Sequence, residues 1–177
     1  MDPHQLIVLT PPGTVDPSVA IAAYRAGAVG VLDLEFSGDS PTLTTALARL
    51  ARFAGRGHSV LLRPDNHQLI SLLLSTMPRP ARVILAGPHC DELISAIRRF
   101  GDAAIEVLRE VTSIDEARST IETGIAGLIL KGHEAGGRVG SDTSFVLVQK
   151  WRRFADLHDL TLPFWVRGGI GCDPSAN

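Results

Sequence analysis

Cysteine is nearly absent from this chain: Cys90 and Cys172 are the only two in 177 residues, far apart and without metal-ligand spacing. That excludes a disulfide framework and a zinc module, and the pair reads as reduced, incidental thiols of a cytoplasmic protein. An excess of charge of either sign is missing too. The 17 Lys and Arg stand against 19 Asp and Glu, a formal balance of −2, which offers no strong attraction to nucleic acid or an anionic membrane. No apolar run approaches the length of a membrane span. The opening MDPHQLIVLT lacks the basic and long apolar regions of a signal peptide. His58, His67 and His89 follow no metal spacing, so no metal site is expected. The remainder, 45% hydrophobic and 20% charged, is an ordinary globular composition at a length that suits one domain with a real core.

The positive signal is an alternation. Short apolar or β-branched runs at 6–9, 30–35, 59–62, 82–86, 105–108, 127–130 and 163–166 predict seven strands. Amphipathic stretches at 17–25, 42–53, 68–76, 91–100, 114–123 and 144–157 predict six helices. In the second of these, Leu43, Leu47, Leu50 and Ala51 fall at helical spacing, with Arg49 and Arg52 off the stripe. Asp91 and Ser113 are candidate N-caps, and Gly27, Gly101 and Gly124 sit where helices should stop. RAGAVGVL (25–32) and ETGIAGLI (122–129) echo one another: one Gly ends a helix and the next begins a closely packed buried strand.

Repeated strand–helix units imply a parallel sheet with helices outside. Such units build either a (β/α)8 TIM barrel or a doubly wound open sheet, and periodicity alone does not separate them. On the barrel reading, residues 1–177 form a truncated barrel domain of about seven strands and six helices, lacking its C-terminal βα unit. The seam between the first and seventh strands is then an exposed edge that should limit the solubility of this chain by itself.

Two glycine-rich turns carry the chemistry. In LILKGHEAGGRVG (128–140) a buried strand runs into a loop where Gly136 and Gly137 can adopt positive φ, ahead of the helix SFVLVQKWRRFADL. In WVRGGIG (165–171) Gly168, Gly169 and Gly171 follow directly on the next strand. Amides in such turns make anion-binding concavities. On a barrel these would be neighbouring loops after strands six and seven, where phosphates are frequently held.

These motifs resemble those of the nitronate monooxygenase, or 2-nitropropane dioxygenase-like, flavoproteins. That family carries G-x-E-A-G-G-H-x-G after strand six and G-G-I after strand seven. Gly132, Glu134, Ala135, Gly136, Gly137 and Gly140 match the first motif; Gly168, Gly169 and Ile170 match the second. IVLTPPG (7–13) is loosely similar to the family's first strand and turn. The resemblance implies an FMN cofactor with its phosphate near Gly136–Gly137 and Gly168–Gly169, and an oxidoreductase or monooxygenase activity. The chain departs from the family at Arg138, which stands where the family has a catalytic His. Arg stays protonated and cannot accept a proton, but it can orient a carboxylate, carbonyl or phosphate. The Arg form is similar to barrels within polyketide or fatty-acid synthase-type proteins, which would imply a small-molecule or acyl substrate and other synthase domains as partners. A non-catalytic scaffold and a phosphometabolite barrel without flavin are the alternatives. As a fragment, the chain is expected to be inactive by itself.

Within this frame Arg138 is the candidate for substrate orientation and His133 a substitute base, or else a solvent-facing loop residue. Lys131, at the end of strand six, is either a surface residue or a cation near the pyrimidine end of a flavin, stabilising its anionic reduced form. Glu134 is a brace for the loop. Asp33 and Glu35 share a face of strand two, either orienting a substrate or, as the commoner arrangement, forming structural ion pairs, with Arg63 a candidate partner. Glu106 and Arg109 on strand five pose the same choice. The RRF (98–100) and KWRRF (150–154) runs are solvated helix faces anchored by their aromatics.

Overall fold

A computed structural model describes residues 6–38 and 41–169. Seven strands, β1 (Ile7–Leu9), β2 (Val29–Asp33), β3 (Ser59–Leu62), β4 (Arg82–Leu85), β5 (Glu106–Val111), β6 (Gly127–Lys131) and β7 (Phe164–Arg167), alternate with six helices. The helices are α1 (Ser18–Arg25), α2 (Pro41–Ala54), α3 (His67–Ser75), α4 (Asp91–Asp102), α5 (Ile114–Thr120) and α6 (Ser144–Leu157). Each strand pairs in parallel with the next, in the order β1-β2-β3-β4-β5-β6-β7. A doubly wound sheet reverses its strand order at a switch point. This sheet never does, so it is the wall of a (β/α)8 barrel, with β1 and β7 as its edges among the described residues.

Alternation along the strands divides the apolar residues into two cores. The outer one joins Leu32, Leu34, Val60, Leu62, Val83 and Leu85 to the helices; the inner one gathers Val29, Val31, Leu61, Ile84, Leu108 and Ile129. The register agrees, because inner residues pair with inner residues: Leu61 with Ile84, Ile84 with Leu108, Ile129 with Trp165. Continuing the same parity places Arg82 and Glu106 inward at the strand starts. It places Asp33, Glu110, Lys131 and Arg167 inward at the strand ends. Among the described residues no helix is long and apolar enough to cross a membrane.

Helix α2 forms on the anticipated stripe, with Leu43, Leu47, Leu50 and Ala51 all buried. Ser113 caps α5 by accepting the Glu116 N–H at 3.3 Å, as expected. Asp91 does not cap α4. Cys90 occupies the cap position and Asp91 lies in the first turn, where its charge favours the positive end of the helix dipole. Gly101 does not end that helix either. The helix runs to Asp102, and Ala104 takes the left-handed conformation with φ 56°.

The two glycine echoes differ in role. Gly30 faces outward, and a Cβ there would lie 1.8 Å from the Ala20 carbonyl oxygen of α1. Gly127 has inward parity, between Leu108 and the Trp165 ring. Gly30 therefore sets how closely α1 approaches β2. Gly30→Ala should force the two apart and cost about 1–3 kcal/mol, the range for overpacked cores. Urea denaturation measures this, and a loss below about 0.5 kcal/mol would contradict the close approach.

Candidate functional site at the C-terminal rim

In a barrel of this kind the loops after the strands build the functional face. The β6–α6 loop and the turn after β7 meet on that face. A Cβ at Gly168 would lie 3.1 Å from the Ala135 amide nitrogen, and one at Gly169 would lie 3.0 Å from both a Glu134 carboxylate oxygen and the Ser144 hydroxyl. Gly137, Gly168 and Gly169 have φ of 80°, 110° and 66°, which glycine adopts without strain. Gly136 and Gly137 are exposed, and the Cβ position of Gly137 lies 3.5 Å from the Lys131 ammonium. Four of the five residues assigned to a phosphate or flavin thus share one patch, with Lys131 directly beneath it. Ile170 and Gly171, which complete the second turn, and Cys172 lie outside the described residues.

Glu134 accepts the Ser144 N–H at 3.0 Å and the Ser144 hydroxyl at 3.2 Å, bracing the loop against the start of α6. Its own backbone amide, and then these contacts, hold its carboxyl below the usual range against the opposing pull of desolvation. Thr143 caps the same helix through the Val146 N–H at 3.1 Å.

The Arg138 guanidinium is engaged by the protein. It donates to the Thr112 hydroxyl at 2.8 Å and the Gly87 carbonyl at 2.9 Å, and it pairs with Glu116. Glu116 in turn accepts the Thr112 N–H at 2.9 Å. Arg138 therefore ties the β6–α6 loop to the loops after β4 and β5. His133 is exposed on the same loop, and its N–H donates to the Asp142 carbonyl at 2.9 Å.

Below the turns, the inward strand ends carry a charged group that sequence reasoning found only in part. Lys131, fully buried, lies 3.0 Å from Glu110; Glu110 also binds Arg167 at 2.5 Å, and Arg167 lies 3.9 Å from Asp33. One Asp33 oxygen accepts the Glu35 N–H at 3.0 Å, while Oδ2 has no hydrogen-bond partner among the described residues. Burial raises the carboxyls of Asp33 and Glu35 above their ordinary values. Lys131 is thus no surface residue. Glu110 and Arg167 escaped notice, although alternation from Leu108 and Trp165 would have placed both on the inner face. Asp33 pairs with Arg167 rather than Arg63, which bonds Asp65 at 2.7 Å on the surface.

Glu106 and Arg109 separate to opposite faces. Glu106 pairs with Arg82 at 2.5 Å inside the barrel. Arg109 lies on the helix side, donating to the Leu85 carbonyl at 2.8 Å and to that of Gly87. Burial draws its pKa down to about 10.

The fold and this rim define a partial (β/α)8 barrel. Among solved structures the chain resembles FabK from Thermotoga maritima, with a TM-score of 0.78, 23% identity, and coverage of 94% of this chain and 51% of that one. A mutant of the same FabK gives a TM-score of 0.79 at 22% identity over 94% and 54%. Nitroalkane oxidase from Streptomyces ansochromogenes gives 0.75 at 22% identity over 94% and 59%. The chain thus shares their fold and spans about half the length of each. No family model matches the sequence, and no curated protein matches it.

Two outcomes test the rim. Glu116→Gln should weaken the hold on Arg138 and speed tryptic cleavage after that residue about tenfold, the loop being held by a charged hydrogen bond worth about 1.5–3 kcal/mol. An unchanged cleavage rate would mean that the contact does not order the loop. The second concerns pH. Because Asp33 and Glu35 have raised pKa values, the folded chain binds protons more readily than the unfolded one. Their contribution to stability is complete below the ordinary carboxylate range and is lost as pH rises through the raised values. Asp33→Asn should therefore lose part of the wild-type gain in urea midpoint as the pH is lowered from neutral toward the ordinary carboxylate range. Parallel curves for the two proteins would count against a raised pKa.

Proposed function

We propose that this chain is the N-terminal part of an FMN-dependent oxidoreductase barrel of the nitronate monooxygenase-like kind. Its cofactor phosphate is held by backbone amides at Gly136–Gly137 and Gly168–Gly169, and the flavin's pyrimidine end lies near Lys131. The observation that carries this reading is the contact between the two glycine turns, with positive φ at Gly137, Gly168 and Gly169. Side-chain-free turns let an anion approach the backbone closely. The start of α6 is already occupied by Glu134, so the phosphate depends on the loop amides rather than the helix terminus. The motif resemblance supplies the flavin, and the likeness in fold to a protein named nitroalkane oxidase supports the reaction class.

When bound, the flavin supplies electron transfer; the protein's part is to hold, orient and exchange protons. Lys131, whose position Glu110 fixes, would present a positive charge to the ring. Arg138, engaged by Thr112, Gly87 and Glu116, orients a substrate through the shape it gives the loop. His133 is the exposed imidazole available to exchange a proton in place of the missing family His. The substrate is a small molecule or an acyl group.

A scaffold role within a larger synthase is favoured by one observation: the residue at the family's catalytic position is tied to the protein. Arg138→Ala separates the two readings, since a scaffold would leave product formation by the intact assembly unchanged. The flavin reading is tested on the full-length polypeptide by its visible spectrum and by quenching of FMN fluorescence. Gly169→Ala introduces a Cβ 3.0 Å from Glu134 at positive φ and should weaken FMN by about tenfold or more, a cost of strain and displaced amides. A folded, colourless protein that ignores added FMN would remove the proposal.

A further inference from the structure

Helices α1 and α2 pack side by side, and their sequences, SVAIAAYR and PTLTTALARLARFA, contain no Asp or Glu. In a chain whose overall balance is −2, this is a local segregation of charge. Toward the rim Arg49 is answered: it pairs with Asp16 at 3.3 Å and donates to the Ser18 hydroxyl at 3.1 Å. At the other end of the two helices the cations go unanswered. Arg25 and Arg52, in the last turns of α1 and α2, are exposed and make no ion pair among the described residues. Both are drawn instead to one ring. Their guanidinium carbons stand 5.3 Å and 5.4 Å from the centre of Phe53.

Cations complement the negative ends of helices, which accounts for their sign but not for the exposed ring they share. Phe53 is 42% exposed and Tyr24 41%. Tyr24 lies against Gly57, where a Cβ would come within 2.5 Å of its ring. Stacking holds a guanidinium by its face and leaves its N–H edge free. Two forks are therefore fixed before a ligand arrives, so binding to them costs less rotamer entropy. Because the helices run antiparallel to the strands, the patch lies on the face opposite the glycine turns, and its occupant does not compete for the rim.

Charge and size narrow that occupant. Nucleic-acid binders make on the order of six to ten phosphate contacts, and anionic bilayers attract clusters of about four to eight basic residues. Two guanidiniums on a chain of net negative charge suit neither. They suit two carboxylates of one short segment: alternate residues of an extended strand lie about 7 Å apart on one side. An apolar residue beside those carboxylates would meet the edge of Phe53 and the ring of Tyr24. We infer that the Arg25–Phe53–Arg52 face is a docking site for an acidic segment of a partner polypeptide. The site is independent of the flavin reading.

The test is a fluorescence-anisotropy titration of the full-length polypeptide with a short labelled peptide alternating glutamate and leucine, and with its glutamine counterpart. The wild type should bind the glutamate peptide about tenfold or more tightly, and added salt should weaken that binding, as for any exposed ion pair. Arg25→Glu together with Arg52→Glu should abolish the preference. Arg152→Glu together with Arg153→Glu makes the same change in net charge on α6 and should alter the affinity by less than about twofold. Phe53→Ala keeps every charge and should still weaken binding about threefold or more, because nothing then holds the guanidiniums in place. All of these positions are exposed, and circular dichroism checks that each variant folds. Equal losses from the two double reversals, or no loss in Phe53→Ala, would overturn the site. So would a wild type that ignores both peptides, whether or not it sediments with phosphatidylserine vesicles.

Discussion

Everything at the rim depends on one constraint: seven strands run parallel and in sequence order, so their C-terminal ends gather on one face. Under that constraint, period-two alternation sends each residue either to the helix layer or to the interior. Leu108 and Glu110 look inward, Val107 and Arg109 outward. A slip of one residue in β2 or β6 would exchange Asp33 or Lys131 for a leucine across the sheet. The strong apolar pairing on both faces holds the register, and the register holds the charges in place.

The charges themselves are an expense that packing must offset. Asp33, Glu110, Lys131 and Arg167 lie at the inward strand ends, with Glu35 just beyond β2, and Arg109 lies on the helix side with its Nε lacking a hydrogen-bond partner among the described residues. Burying an ion costs several kcal/mol unless it is paired and hydrogen-bonded. Glu110 offsets that for two cations at once, which leaves Asp33 as the member with unsatisfied capacity. Arg109 and Arg138 instead converge on the Gly87 carbonyl, joining the loops after β4 and β6 through one backbone oxygen.

Much of this was legible in the sequence, for physical reasons that differ by element. All seven strands and six helices were expected, because apolar periodicity reports directly on burial. The α2 stripe at Leu43, Leu47 and Leu50 is the clearest instance. Periodicity left barrel and open sheet undecided, since both use the same unit and only strand order separates them; it was the resemblance of the glycine motifs that pointed to the barrel. The end of α4 at Asp102 was hidden because the left-handed residue beyond it is Ala104, and alanine at positive φ has no sequence signature, whereas a glycine at 101 falsely offered one. At the rim, the glycine turns were visible as composition. The company of Lys131 was not, because Asp33, Glu110 and Arg167 are far apart in sequence and adjacent only through register. Arg138 was read as reaching for a substrate, and nothing local reveals that Thr112 and Glu116 would claim it.

Midway along the interior, Val31, Leu61, Ile84, Leu108 and Ile129 form a dry plug between the Arg82–Glu106 pair at one end and the Glu110 group at the other. Such an interior is filled rather than hollow. Among the described residues this apolar layer keeps the two charged groups apart, so each must find its counter-charges at its own end of the sheet.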